Sequence, residues 1–385
     1  MKNQPKAKSP TMAQRVVKKS ISQSRKDIAE WRGALRLAQL ASDPKFYLLQ
    51  DIFNEVADDA LLTSQINNRH ERTISSPFEL VGNNDKVDDE LTQLLRANPV
   101  ILDIFKAILD SEMFGYSLIE LSGNGNLDII PRQNIDPVHG RFYPDAWQPA
   151  YISYREASEY GKWILEFNSG HLGVINKTVP HILFKKFAQS CWSELCEIFG
   201  IPPRYVKTNT QDDAMLARAE DMLTNMGAAA AFVIDTTEEF QFAQGVSTNG
   251  DVYANLIRLC NNEVSMLISG AIIGQDTENG NYSKEQSSIG MLDRLIESDK
   301  RLVETYMNTI VLPALSAIGW MPEHQCKFRF AAVDDPDKTW QLVKDILPYK
   351  DVDNEWLAEK FGIPVKDKQF SLDSGLAAST DRFFV

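Results

Sequence analysis

Gly173 to Thr178 (GVINKT) is the stretch nearest to a phosphate-binding loop, but Asn176 stands where a glycine is needed before Lys177. Without that glycine the backbone cannot close around a phosphate. Gly123 and Gly125 lack the third glycine of a dinucleotide fingerprint and read as a turn between strands. Asp276, Glu278, Gly280 and Glu285 have the composition of a calcium loop without its spacing, and read as a flexible polar loop. Cys191 and Cys196 share a helical stretch with Trp192 and Phe199, which points to packing rather than redox chemistry. Cys260 and Cys326 add no repeated short spacing, and the five histidines are dispersed, so no set of three or four zinc ligands forms. Neither a Gly-x-Ser-x-Gly elbow nor a His-Glu-x-x-His pair occurs. The expectation is no catalytic residue, no metal and no cofactor.

The elements behind these fragments belong to a globular chain: 385 residues, 43% hydrophobic, enough to bury a core in two or three packed units. No apolar run approaches the roughly 20 residues of a membrane span, and residues 1–26 lack the apolar segment of a secretory signal. Scattered cysteines read as reduced thiols, which suits a cytoplasm. Net charge is −13, yet the first 26 residues hold eight Lys or Arg and no acid, so the rest carries −21. Such a body repels duplex DNA, because sequence-independent binding depends on neutralising phosphates. That excludes a DNA-gripping protein and suits one through which DNA must slide.

Residues 1–26 read as a basic flexible arm. Ile28, Trp31 and Leu35 have helical spacing, and a second helix is predicted over Phe46 to Ile66. Thr73 to Gly82 reads as a strand, and Val87 to Met113 as one helix with a broad apolar face. Short alternating runs over 115–185 predict a β-rich layer, followed by a helix near Lys185 to Phe199 that stops at Gly200 and the Pro202-Pro203 pair. Next comes a small α/β insertion: strand Arg204 to Lys207, helix Asp212 to Met226, strand Ala230 to Ile234. A helix over Asp251 to Ile273, a polar loop Gly274 to Ser283 and a long helix to Leu312 form a projecting element, with Pro313 kinking or ending it. Asp299 lies on the edge of the apolar stripe, facing solvent or a neighbouring subunit. A strand over Cys326 to Ala332 and helices over Pro336 to Leu347 and Asn354 to Phe361 close the chain. The fold class is α+β.

CWSELCEIFGIPPRYV (191–206) resembles the Trp, Glu, Phe-Gly, Pro-Pro-Arg segment of the Mu-like bacteriophage portal family. DDALLTSQINNRHERTISSPFELVG (58–82), AILDSEMFGYSLIEL (107–121), the run 261–315, FRFAAVDDPDKTW (328–340) and AEKFGIP (358–364) are similar to the family's other blocks, in the same order. The resemblance implies a portal fold: a wing over 27–180, a stem over 181–200 and 246–273, a clip over 201–245 with Pro202, Pro203 and Arg204, and a tunnel loop over 274–283. In that loop Gly274, Gln275, Asp276, Thr277, Asn279, Gly280, Asn281 and Tyr282 would line a DNA channel. Residues 284–318 would be the tunnel helix, 319–366 a reduced crown-like cap and 367–385 a tail.

By the same resemblance the chain forms a ring, usually of twelve subunits, at one vertex of the virion capsid, and assembles in the host cytoplasm. Its partners would be the major capsid protein, the terminase large subunit, a head-tail adaptor and the double-stranded DNA that passes through, with no membrane. The missing ATP site leaves the power stroke to the terminase. The basic arm would meet packaged DNA or an acidic protein face, or stay unordered. A reading of another class is a capsid assembly or scaffold-type protein that forms no channel; an enzyme, such as a nuclease or a nucleotide-binding packaging factor, ranks third.

Overall fold

The computed structural model describes residues 27–123, 125–200, 204–209, 211–225, 231–235, 251–272, 282–331 and 336–363. They fall into two units, Met1–Phe330 and Ala331–Val385.

In the large unit α1 (Ile28–Ala38) starts where the Asp27 carboxylate accepts the Glu30 N–H at 2.7 Å. The single helix expected over 46–66 is two, α2 (Phe46–Ala57) and α3 (Ala60–Ile74). Asp59 is the reason: its backbone is extended, and its carboxylate accepts the N–H groups of Leu61 and Leu62, each at 3.1 Å, starting a new helix. Because α3 runs to Ile74, the following strand shortens to β1 (Phe78–Val81). The helix expected over 87–113 likewise divides into α4 (Asp89–Arg96) and α5 (Ile101–Phe114). Pro99 bars Asn98 from helical geometry, and the Asn98 side chain accepts the Val100 N–H at 3.2 Å.

The β-rich layer comprises β2 (Tyr116–Leu121), β3 (Leu127–Ile129), β4 (Ile135–Asp136), β5 (Arg141–Phe142), β6 (Ile152–Ser153) and β7 (Ile164–Asn168). These make two antiparallel three-stranded sheets, β3-β2-β7 and β4-β5-β6. All six residues of β2 are buried, the mark of a central strand covered on both faces. Next, α6 (Ile175–Gly200) begins ten residues earlier than expected and runs through Pro180. Ile175, Val179, Ile182 and Leu183 lie in one core with Leu49, Phe53 and Tyr116, and that burial holds the helix together across the proline.

Gly173, the glycine of the failed phosphate motif, has a steric role. It and Gly115 have φ of +87° and +96° and face each other where the end of α5 meets the entry to α6. A side chain on Gly173 would strike the Met113 carbonyl, and one on Gly115 would come within 2.6 Å of the His171 carbonyl. Gly173→Ala is expected to destabilise by about 2 to 3 kcal/mol, from positive φ and backbone collision together. A thermal melt of the variant beside Gly170→Ala, which has open space around it, measures the collision separately from the φ cost.

The remaining elements are β8 (Arg204–Thr208), α7 (Asp213–Asn225), β9 (Ala231–Asp235), α8 (Asp251–Ser269), α9 (Tyr282–Tyr306), a π-helical turn over Met307–Val311, α10 (Leu312–Ala317) and β10 (Lys327–Phe330). β8 and β9 pair in parallel with α7 between them, a βαβ unit. The π-helical turn precedes Pro313, so the long helix changes winding before the residue that cannot donate.

One boundary changes. The strand near 326–332 was expected in a terminal cap, but β10 pairs antiparallel with β1, Phe78 opposite Phe330 and Leu80 opposite Phe328. Side chains from the last turn of α9 and the π-helical turn after it satisfy its other edge. The Asn308 amide accepts from Phe328 N at 2.7 Å and donates to Phe328 O at 2.9 Å, and Glu304 accepts from Phe330 N at 2.7 Å. An amide with both donor and acceptor serves here as a missing strand partner. The small unit contains α11 (Pro336–Ile346) and α12 (Asn354–Phe361), with Trp340 against Phe361 edge to face, centroids 5.3 Å apart. Gly362, at φ +64°, ends α12.

Candidate functional site

The candidate site is the arrangement of α6, α8 and α9; among the described residues no cluster of His, Cys, Asp or Glu is placed to hold a metal. α6 and α8 make the most extensive helix contact in the protein. Ile182 and Leu183 share a core with Val264 and Ile268, while Lys185 acts on the Cys260 thiol, so α8 descends as α6 rises. The pair is antiparallel, and the βαβ unit is inserted at its open end. Polar contacts tie α6 to the body: Lys185 pairs with Asp59 at 2.8 Å in a buried setting, and Lys186 lies 3.5 Å from Glu55.

Twelve residues, 270–281, separate α8 from α9, and 273–281 of them lie outside the described residues. A Cβ on Gly270 would lie 3.3 Å from Leu295 Cδ1 and 3.6 Å from the Met291 Cβ, so the end of α8 abuts the middle of α9. Roughly 14 Å of α9, from Tyr282 to Met291, runs on beyond that contact.

A buried polar seam fixes this junction. Arg69 on α3 is 6% exposed and Asp299 on α9 is 2% exposed. The guanidinium donates to both carboxylate oxygens, Nε to Oδ2 at 2.6 Å and Nη2 to Oδ1 at 2.7 Å, and its Nη1 donates to the Ile268 carbonyl at 3.0 Å. One side chain thus joins α3, the end of α8 and α9. Ser269 donates to Gln65 beside it, and the Ser265 hydroxyl donates to the Ala271 carbonyl at 2.9 Å. Asp299 therefore faces neither solvent nor a neighbouring subunit, as its place on the helix had suggested. The missed signal was on both partners: each charge sits on its own helix's apolar face, Arg69 in register with Leu62, Ile66 and Thr73, and Asp299 with Leu292, Ile296 and Val303.

His70 adjoins the seam. Burial lowers its pKa below the ordinary 6.5, outweighing the opposing pull of Asp110 and Asp299. Its Nδ1 is 3.7 Å from Asp110, beyond hydrogen-bonding reach, and Asp110 already pairs with Arg132 at 2.9 Å. A base whose folded pKa is depressed is neutral when folded and takes up a proton on unfolding. Its stability contribution is complete above pH 6.5 and is lost as the pH falls through the lower folded value. Denaturation between pH 7.5 and 5 is expected to show a steeper loss of stability for the native chain than for His70→Gln.

Of the residues expected in a DNA channel, Gly274, Gln275, Asp276, Thr277, Asn279, Gly280 and Asn281 lie outside the described residues, while Tyr282 opens α9. Pro202 and Pro203 also lie outside them, and Arg204 opens β8. The arm 1–26 and tail 367–385 are outside as well.

A family model described as the portal protein of Mu bacteriophage matches residues 50–363, well over half of the chain. The chain belongs to that family. Membership in this portal family makes it a structural phage protein rather than an enzyme. No curated protein matches. Among solved structures, the neck of an empty GTA particle computed with C6 symmetry is similar at 14% identity and a TM-score of 0.51, covering 88% of this chain and 99% of that one. The neck of a native GTA particle computed with C12 symmetry follows at 14% identity and TM-score 0.45, covering 88% and 100%. A HK97 family phage portal protein from Corynebacterium diphtheriae has 10% identity and TM-score 0.41, covering 75% and 97%. The first of these likenesses shows a fold shared with that neck protein. No helix among the described residues is long and apolar enough to cross a membrane.

Proposed function

We infer that the chain is the subunit of a closed ring at one capsid vertex, through which double-stranded DNA enters and leaves the particle. The observation that carries this reading is the antiparallel α6 and α8 pair with a βαβ unit inserted at one end and α9 attached at the other, within a portal-family match spanning residues 50–363. In a ring the α6 and α8 pairs form the wall, the insertion stands at one rim, and residues 274–283 lie where the wall meets the start of α9.

The insertion then receives the terminase large subunit during packaging and a head-tail adaptor afterwards, while the β-rich body meets the major capsid protein. The cap then begins after Phe330, since β10 is paired with β1 in the body. The chain's work is physical: its acidic body keeps duplex DNA from adhering, so that DNA slides. Polar residues such as Gln275 and Asn279 make replaceable contacts to the phosphate backbone.

Negative-stain electron microscopy with mass photometry on the purified chain tests this. Closed rings around an open channel are expected, of about a dozen copies by the family resemblance. A monomer or dimer at every concentration, including with capsid protein added, would overturn the ring and favour a scaffold-type assembly protein.

A further inference from the structure

We propose that the segment Pro5 to Pro10 of the basic arm docks in a groove of four aromatic rings on the β-rich body of its own chain, the prolines lying against Trp147 and Tyr151. The contact is made within one chain, so it holds whether or not copies close into a ring.

The groove is an open hollow of about 210 Å³ between the start of α2, β4 and the loop from β5 to β6. Tyr47 on α2 meets Trp147 edge to face with centroids 4.6 Å apart, and Tyr143 meets Tyr151 at 5.9 Å. Trp147 is 53% exposed and Tyr151 50%. Single exposed apolar side chains on a surface need no explanation. Two exposed rings, each paired with another around one hollow, make a patch of the kind that marks a binding surface. The patch is also held ready. Trp147 N donates to the Asp145 carboxylate at 3.1 Å and Gln148 N to the Asp145 carbonyl at 3.0 Å. Asn134 accepts Tyr143 N on its carbonyl at 2.7 Å and donates from its side-chain amide to the Tyr143 carbonyl at 2.7 Å. A surface fixed in advance loses little entropy on binding.

Charge inside the groove does not choose the occupant. Lys45 pairs with Asp43 at 2.6 Å, Asp136 with His139 at 2.7 Å, and Arg141 lies over the Tyr151 ring at 4.5 Å, so the acids and bases lining the hollow balance. What remains is flat aromatic faces, tyrosine hydroxyls and the side-chain amides of Gln133 and Gln148. That chemistry takes an extended segment bearing prolines. Ring packs on ring, while hydroxyl and amide donors meet the carbonyls that a polyproline-type backbone leaves unpaired.

The arm supplies such a segment. In QPKAKSP (4–10) two prolines are separated only by lysine, alanine and serine. The lysine stems can lie along the rings with their ammonium groups outside, as the Arg141 guanidinium already lies over Tyr151. Reach is sufficient. Lys45, at the rim of the groove, donates its N–H to the Leu37 carbonyl at 3.0 Å, so the last turn of α1 abuts the groove. The 11 residues of α1 are about 16 Å long, and the sixteen residues between Pro10 and Asp27 span up to about 50 Å when extended. The eight cations of the arm are drawn to a remainder that carries −21. Tethering then holds the segment at an effective concentration of about the millimolar range, which favours the groove of its own chain.

The test uses the full-length chain with a photo-crosslinking amino acid in place of Ala7, co-expressed with a chain that keeps Ala7 and carries Ala150→Ser as a mass tag. After illumination, mass spectrometry is expected to place the crosslinks within residues 143–151 of the untagged chain. Crosslinks on the tagged peptide would give the groove to the arm of a neighbouring copy, and crosslinks scattered over the body would remove the docking; either overturns the proposal. Trp147→Ala, and Pro5→Ala with Pro10→Ala, are each expected to cut the crosslink yield about tenfold. Lys6→Gln with Lys8→Gln is expected to cut it by less than about twofold. A yield that follows the lysines and ignores the prolines would overturn proline recognition in favour of plain charge attraction. Hydrogen exchange over 143–151 is expected to quicken in the double proline variant. Exchange that is unchanged there and slows only when capsid protein is added would assign the groove to that partner instead.

Discussion

Asp299→Ala is expected to destabilise the protein by about 3 to 5 kcal/mol, the cost of stranding a buried charge. Arg69 keeps its donor to the Ile268 carbonyl but loses two charge-assisted bonds, at 2.6 and 2.7 Å, and no water reaches it readily at 6% exposure. The effect belongs to the unpaired charge rather than to the pair, because burying both ions costs several kcal/mol before their attraction repays it. The double substitution Arg69→Met with Asp299→Leu is therefore expected to recover most of the loss. Urea denaturation of the native chain, both single variants and the double distinguishes the cases. A double variant no better than the singles would mean that the bonds themselves, and not the charge balance, hold α3, α8 and α9 together. Hydrogen exchange adds a local reading: faster exchange is expected at the end of α8 and along α9 in the single variants.

Phe105→Ala is expected to cost a similar amount, about 3 to 5 kcal/mol, by opening a cavity in a close-packed aromatic cluster. Phe105 is fully buried, with ring centroids 5.5 Å from Phe78, 5.4 Å from Phe328 and 6.1 Å from Phe330. Those rings come from α5, β1 and β10, so one side chain seats the strand that returns the chain to the body. The loss is expected to concentrate there, with exchange protection falling first at the Phe328 and Phe330 amides. Phe105→Leu, which refills part of the volume, is expected to recover much of the stability. Equal losses for Leu and Ala would point to ring geometry rather than cavity volume as the source.

The βαβ insertion was legible from sequence nearly to the residue: expected strands at 204–207 and 230–234 appear at Arg204–Thr208 and Ala231–Asp235, around a helix at Asp213–Asn225. Its signals are local, a short β-branched run on each side of a helical period, and local signals survive in any context. α8 and α9 were legible for the same reason. The breaks at Asp58-Asp59 and Asn98-Pro99 carried local signals too, a capping carboxylate and a proline, but each lay inside a continuous apolar period that spoke for one helix.

What the linear chain could not say is which distant groups would meet. β10 reads as a strand from its alternation, yet nothing near 327–330 names β1 as its partner or Asn308 as the cover for its edge. A strand's pattern records which face is buried and leaves its neighbour unspecified. The early start of α6 depended on burial against α2 and β2, which overrides the local cost of Pro180. Arg69 and Asp299 are 230 residues apart, and an aspartate on an apolar stripe is tolerable only once its partner is in place. By itself the sequence determined the succession of elements, the absence of catalytic spacing and the acidic charge of the body, because these are sums over local residue types. The tertiary structure alone decided which strand closes the body and which charges are buried together, since those depend on the company each face keeps.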